Sequence, residues 1–336
     1  MSSSPDRPLR FTFAISSYDH ARAVVEGRIP IEGAEPLFIQ LPIPEMFRRF
    51  VKSQDWDVSE VSFVKYTTMR AAGDDRIVGI PVFPSRMYRH TAIFVRSDRI
   101  RVPEDLVGAR IGITEWTNSA GVWGRGLLAD MHGVEAADVT WYQGGVDRPG
   151  RAVVLEAPHL SPDVDVRTVQ DRSLEEMLWT GDLEAIIVPV APPSIATSAN
   201  SGGVVRRLFE DARTAERLYW DKTNCLPMMH VVAMTRALVE RDPGIPARIY
   251  AAMEQARADY FARVFDEEAS RVPVPWLGEH LASLAPAGTE IWPYGVQPNQ
   301  GSIETLLRYG RAQGLVGGDL APADLFPEWA AAGNPS

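Results

Sequence analysis

Strands and helices alternate through the first two thirds of the chain, and this rhythm predicts an α/β protein built on parallel sheets. Two further observations divide it. The 336 residues suit two domains at the usual ~150 residues each. The last third breaks the rhythm with one more strand and then almost only helix, so an inserted set of strand-helix blocks is expected to interrupt the first domain.

The elements follow in order. Leu9 to Ile15 alternates apolar residues with period two, a strand. Asp19 is placed to cap a helix that runs through Glu26 and stops at Gly27. Leu37-Phe38-Ile39 is a second strand, and Pro44-Glu45-Met46 opens a helix with proline at its first position and an acid near its positive end. Asp57 to Val61 and Ile77 to Val82 are strands, with a helix from Val64 to Ala72 between them. Thr91 to Val95 is the next strand, then a short helix near Pro103, a strand from Ala109 to Thr114, and a helix from Ser119 to His132 capped by Asn118 or Ser119. Strand Val166 to Val169, helix Leu174 to Thr180 and strand Ala185 to Val188 continue the pattern, and Thr197 to Gly203 is expected to be a flexible loop. Met229 to Met234 is one more strand. Ile249, Met253, Ala256, Tyr260 and Val264 form the stripe of a long amphipathic helix, and Gln300 to Gln313 is another helix.

Composition removes several function classes. Hydrophobic residues at 45% and charged residues at 23% exclude wholesale disorder. Lys and Arg total 34 against 44 Asp and Glu, a net charge of −10 that repels phosphate backbones, so nucleic-acid binding is not expected. No apolar run reaches the ~20 residues of a membrane helix, so no membrane partner is expected. Met1 to Pro8 lacks the apolar core of a secretory signal, and Cys225 is the only cysteine, so a reducing cytoplasm is the expected compartment, with neither a disulfide framework nor a cysteine-based zinc site. The six histidines form no i,i+4 pair around a glutamate, no phosphate loop or nucleophile elbow is present, and Gly121, Gly124 and Gly126 fall inside a helix rather than in a strand-to-helix turn. No metal and no organic cofactor is expected.

Chemistry concentrates at strand-to-helix junctions, where α/β sheets bind ligands. The run Pro84-Ser85-Arg86-Met87-Tyr88-Arg89-His90 brings two guanidinium forks and an imidazole between two strands: an anion clamp plus a proton donor, or else a solvated turn. Thr114 to Ser119 opens a helix, where Asn118, Ser119 and the free N–H groups suit a carboxylate and Trp116 can stack on a ring, or is a core residue. Glu60 stands on a predicted buried strand, where a carboxylate needs partners. Ser62 beside it serves as a helix cap or a site hydroxyl, and Lys65 follows one turn later. Tyr18 and His20 occupy the matching junction after the first strand. His230, on a predicted internal strand, is either a satisfied core histidine or a site group, and Arg125 either points inward or snorkels.

These residues resemble a known family. Ile80 to His90, Trp123-Gly124-Arg125-Gly126, Gly144-Gly145 with Pro149-Gly150-Arg151, Met229 to Val232 and Trp292-Pro293-Tyr294-Gly295 are similar to signatures of the 4,5-dihydroxyphthalate decarboxylase family, from about Leu9 to Phe326. The resemblance implies a two-lobed type II periplasmic-binding-protein-like fold whose crossover strands are Thr91 to Val95 and Met229 to Met234. The lobes would be residues 1–94 with 237–336, and 95–236, with the ligand in the cleft between them. It implies cofactor-independent decarboxylation of a small hydroxylated aromatic carboxylate, with homo-oligomer formation open. It makes His90 the proton donor and Arg86 the carboxylate clamp. Arg89, Arg125 and Asn118 become secondary anion contacts, Glu60 orients His90 or deprotonates the phenol, and His230 is a second phenol contact. Tyr18, His20, Ser62, Lys65, Trp116 and Ser119 complete the expected lining. A solute-binding protein for a small organic anion, or another lyase on the same fold, is the alternative.

Overall fold

A computed structural model describes residues 7–150, 157–266, 268, 271–284 and 290–331. The strands are β1 (Leu9–Ala14), β2 (Ala34–Ile39), β3 (Val58–Ser62), β4 (Ile77–Ile80), β5 (Ile93–Arg96), β6 (Arg110–Ile113), β7 (Thr140–Gln143), β8 (Asp165–Thr168), β9 (Ala185–Ile187), β10 (Val205–Arg207) and β11 (His230–Thr235). They form two sheets, β2-β1-β3-β11-β4 and β10-β5-β9-β6-β7-β8. One strand in each runs against its neighbours: β11 is antiparallel to β3 and β4, and β5 is antiparallel to β9 and β10. Each of these is the first strand the chain makes after changing sheets.

The change of sheet happens before those strands, not along them. β5 pairs entirely within the second sheet and β11 entirely within the first, so borders at 94/95 and 236/237 cut strand β5 and assign β11 to the wrong sheet. The crossings are the segments leading into β5 and β11, and they pair with each other. Arg86 bridges Met228, Met87 N–H donates to Pro227 O at 2.9 Å, and Met229 N–H donates to Ser85 O at 2.8 Å.

The helices are α1 (Arg22–Val25), α2 (Ile43–Ser53), α3 (Phe63–Ala71), α4 (Ser119–His132), α5 (Leu174–Thr180), α6 (Pro193–Ser201), α7 (Ala212–Thr223), α8 (Arg236–Arg241), α9 (Ile245–Val264), α10 (Leu277–Leu284), α11 (Gln300–Ala312) and α12 (Pro327–Ala331). Local chemistry explains their ends. Asn118 Oδ1 accepts from Ala120 N at 2.9 Å and Gly121 N at 3.3 Å, starting α4, and Gly133 closes it in the left-handed conformation at φ 66°. Asp19 caps nothing; it opens a short 3-10 turn and pairs with Arg22 at 3.4 Å, both side chains exposed. The segment near Pro103 is likewise a 3-10 turn, Pro103–Leu106. The expected loop at Thr197 to Gly203 is mostly helix α6, because Ile195 buries one side and Gly202 supplies the left-handed stop.

The main hydrophobic cluster runs through both sheets, joining Phe13, Val61 and Met234 to Val95, Ile111 and Ile187, while Phe94, Leu178 and Ile186 pack on the other face of the second sheet. The closing helices do not all return to the first sheet. α9 packs on α1, but α11 packs on α3 of the first sheet's side and α4 of the second. Among the described residues, no helix is long and apolar enough to cross a membrane, and no three His, Cys, Asp or Glu converge as metal ligands.

Candidate active site

The carboxyl ends of β1 and β3 and the start of β11 meet at Glu60. Its side chain is fully buried and richly bonded. Ser16 N–H donates to Oε1 at 2.8 Å, Tyr18 OH donates to Oε2 at 2.8 Å, and His230 Nδ1 lies 3.3 Å from Oε2. Strand register explains the meeting. β11 opposes β3 with His230 facing Ser62 and Val232 facing Glu60, so side-chain alternation puts Glu60 and His230 on one face. The Phe47 ring of α2 closes that face edge-on to His230 at 4.7 Å.

The electrostatics are one-directional. Burial alone pushes Glu60 up, but the bond and charge of His230, then Ser16 N–H and Tyr18 OH, outweigh it and hold the carboxyl below its usual range. Burial first, and Glu60 next, push the Tyr18 phenol far up, so it stays protonated and donates. An ionised Glu60 selects the His230 tautomer with its proton on Nδ1. Nε2 then faces outward with no hydrogen bond among the described residues.

The second lobe closes on this cluster through hydroxyls. Ser62 Oγ lies 2.8 Å from Ser119 Oγ, which donates to Met229 O at 3.1 Å, while Ser62 Oγ also accepts Lys65 N–H at 3.3 Å as the cap of α3. The Lys65 ammonium is half-buried; burial lowers its pKa, and Glu115 on the second-sheet side opposes that most. His20 stands beside Tyr18 (ring centroids 5.4 Å) and Trp292 (5.8 Å), and its pKa is lowered to about 4 by burial and then Arg257.

Several expected residues lie elsewhere. His90 does not reach the cleft. Its ring packs on Phe209 at 5.0 Å and Tyr219 at 5.8 Å, beside His132 at the far end of α4, and burial followed by His132 lowers it to about 4. That end of α4 is about 20 Å from Ser119 at ~1.5 Å per residue. Glu60 therefore orients His230, not His90. Arg86 is a bolt: its Nη2 donates to Pro293 O at 2.6 Å and Asn299 Oδ1 at 2.7 Å, between the Phe83 and Trp292 rings. Trp116 is core, stacked under Arg125 at 3.8 Å with its indole N–H on Gln313 O at 2.8 Å, so no substrate ring can stack there. Arg125 points inward, donating from Nε to Gln313 Oε1 at 2.7 Å and from Nη2 to Trp116 O at 2.6 Å. Asn118 spends its oxygen on the α4 cap. Arg89 is buried, with Nε on Met229 Sδ at 3.0 Å. Arg151 falls outside the described residues.

Sequence reasoning missed Ser16 N–H and Phe47. A backbone donor leaves no residue-type signal, and Phe47 looks like any residue on the apolar side of α2.

The geometry is a buried Glu–His pair where the first sheet meets the start of α4, with the outer imidazole nitrogen left without a hydrogen bond among the described residues. No family model matches the sequence. Solved structures share the fold. The periplasmic aliphatic sulphonate-binding protein SsuA of Escherichia coli superposes with TM-score 0.52 at 15% identity, over 95% of this chain and 92% of its own. A sulfonate-binding protein of Methylobacillus flagellatus gives 0.51 at 14%, over 97% and 94%. The two-lobed type II periplasmic-binding-protein architecture is thus the fold of this chain. Two curated proteins are similar in sequence. The 4,5-dihydroxyphthalate decarboxylase of Pseudomonas putida is 39% identical over 188 residues, 55% of this chain and 72% of that protein. That of Comamonas testosteroni is 31% identical over 320 residues, 95% of this chain and 96% of its own length, and on that match the protein belongs to the 4,5-dihydroxyphthalate decarboxylase family.

Proposed function

We propose that the protein removes CO₂ from a hydroxylated aromatic carboxylate of the 4,5-dihydroxyphthalate type, using its own side chains and no cofactor. The observation that carries the reading is the ionised, buried Glu60 against His230 Nδ1 at 3.3 Å, which leaves Nε2 as the ring nitrogen that can carry a proton to a substrate.

An aryl carboxylate loses CO₂ once the carbon bearing it is protonated. His230 Nε2 gives its proton to that carbon, and a hydroxyl para to it supplies the electron density. The C–C bonding pair returns to the ring as CO₂ departs, and a proton from water recharges His230. Carboxylate plus proton becomes arene plus CO₂, so no electrons enter or leave and no redox partner is required. Glu60 stabilises the charged imidazole, and Tyr18 fixes Glu60. A sulfonate-type binding role has no need for this pair.

The test is CO₂ release from a panel of hydroxylated benzoic diacids by purified, chelator-treated protein in D₂O. One deuterium at the carbon that bore the carboxylate is expected. Binding without CO₂ release would leave a solute-binding protein, and activity regained only on adding a divalent ion would overturn the cofactor-free step.

A further inference from the structure

Two crossing segments join the lobes, and periplasmic-binding proteins in general bend at such a join to close on a ligand. This chain has a third join. On either side of α11 it is fixed to the first sheet's side. Gly295 N–H donates to Pro81 O at 2.8 Å before the helix, and the Tyr66 hydroxyl donates to Leu325 O at 2.5 Å after it.

Between those anchors, α11 is bonded to the second sheet's side. Arg308 Nη1 and Nη2 donate to Asp130 Oδ1 and Oδ2 at 2.7 and 2.6 Å, and Tyr309 OH donates to Asp130 Oδ2 at 2.6 Å. One turn on, Gln313 is held three ways. Its carbonyl accepts from Trp116 Nε1 at 2.8 Å, its Oε1 accepts from Arg125 Nε at 2.7 Å, and its Nε2 donates to Val122 O at 3.0 Å. Gly314 O then accepts His159 N–H, from the segment before β8, at 3.1 Å. Val122 and Asp130 are ~12 Å apart along α4 at ~1.5 Å per residue, so the grip resists rotation as well as separation. Opening the lobes would break all of these bonds and wet the apolar seam where the Tyr309 ring meets Trp123 at 5.5 Å.

We propose that α11 clamps the two lobes in the closed arrangement. The resting protein is closed before anything binds, and a small ligand reaches and leaves Glu60 and His230 by local side-chain or loop motion, with no hinge opening. The clamp concerns the ligand-free protein and stands or falls apart from the decarboxylase reading.

The experiment measures pulsed electron–electron resonance distances in the ligand-free full chain. Nitroxides are placed at Arg48→Cys on α2 and Thr197→Cys on α6, both exposed; Cys225 is buried and stays unlabelled. The otherwise wild-type chain should give one narrow distance within about 2 Å of the closed structure. Arg308→Met and Gln313→Ala, added to that chain, should each bring in a longer-distance population, largest in the variant carrying both. Far-UV circular dichroism selects the variants that remain folded. The Arg308 side chain is 54% exposed, so its removal supplies a folded case even where Gln313→Ala does not. A main distance more than about 2 Å longer than the closed structure's, or a second, longer population, in the chain with α11 intact overturns the clamp. So do folded variants whose distances match those of the intact chain, because α11 would then not be what keeps the lobes closed.

Discussion

Glu60 Oε2 and His230 Nδ1 lie 3.3 Å apart although 170 residues separate them in the chain. The contact exists because β11, made after the chain returns from the second sheet, inserts antiparallel beside β3. A parallel neighbour would have needed another crossover; the reversed strand delivers a histidine to the carboxyl end of β3 at its very first residue. The topology that builds the hinge also builds the pair.

Glu60→Gln keeps the shape and removes the charge. We expect kcat to fall by roughly 10²–10⁴, the usual scale of a general acid-base contribution, with a smaller change in KM. Stability gives an independent check. The folded pKa of Glu60 lies below its unfolded value, so its contribution is present above the unfolded value and is lost as pH falls through the folded one. Urea unfolding across that acid range should be less pH-dependent in Glu60→Gln than in wild type. Undiminished turnover would remove Glu60 from the chemistry.

His90→Phe should leave turnover within about threefold of wild type, because the ring lies among Phe209, Tyr219 and Tyr88 and its Nδ1 has no partner to lose. With a folded pKa near 4 against an ordinary 6.5, the unfolded chain takes up the proton first as pH falls. The stability tied to a neutral His90 is full above 6.5 and is lost between 6.5 and 4, by about 3 kcal/mol. The variant should lose less stability than wild type over that window. A 10²-fold fall in kcat with an unchanged melting temperature would return His90 to catalysis.

Much of this was legible in the residues. Period-two spacing marked β1, Asn118 was one of the two caps offered for α4, and a carboxylate on a buried strand flagged Glu60 before any partner was known. Helix α6 was not, since its Ser-Ala-Asn-Ser run has loop composition and is helical because Ile195 is buried. β10 spans three residues and β7 four, too few for spacing to speak. The site failed at one step. The Arg86 to His90 run does lie at the crossing, but its neighbours along the chain do not determine which way each side chain points. Phe209 and Tyr219 claim His90, and Pro293 and Asn299 claim Arg86, through contacts more than 100 residues away.

Arg86→Lys should act on stability rather than on substrate binding. Lysine keeps the charge but cannot reproduce the guanidinium geometry at both Pro293 O and Asn299 Oδ1; Pro293 O keeps its bond from Asn299 Nδ2, but losing the bond to Asn299 Oδ1 leaves a buried acceptor unsatisfied at a cost of about 1–3 kcal/mol. The denaturation midpoint should drop while KM moves less than about threefold. A large rise in KM at constant midpoint would make Arg86 a substrate clamp after all.

The last prediction concerns the joint between the lobes. Gly126 lies on α4 directly under the Tyr309 ring of α11, and a Cβ there would overlap the ring. The ring cannot easily retreat, because it meets Trp123 at 5.5 Å and its hydroxyl donates to Asp130 Oδ2 at 2.6 Å. Gly126→Ala should therefore push α11 off α4 and cost about 1–3 kcal/mol, the general scale of overpacking. The effect should reach the crevice, because Gln313 at the end of α11 holds both Arg125 and the Trp116 indole N–H beneath the loop that presents Ser119. Substrate affinity should fall along with stability. Tyr309→Ala opens the space again, so the double variant should be less destabilised than the sum of the two single changes. Strict additivity in the melting temperatures of the three variants would show that Gly126 and Tyr309 do not press on one another, and that α11 is not what holds the lobes in register.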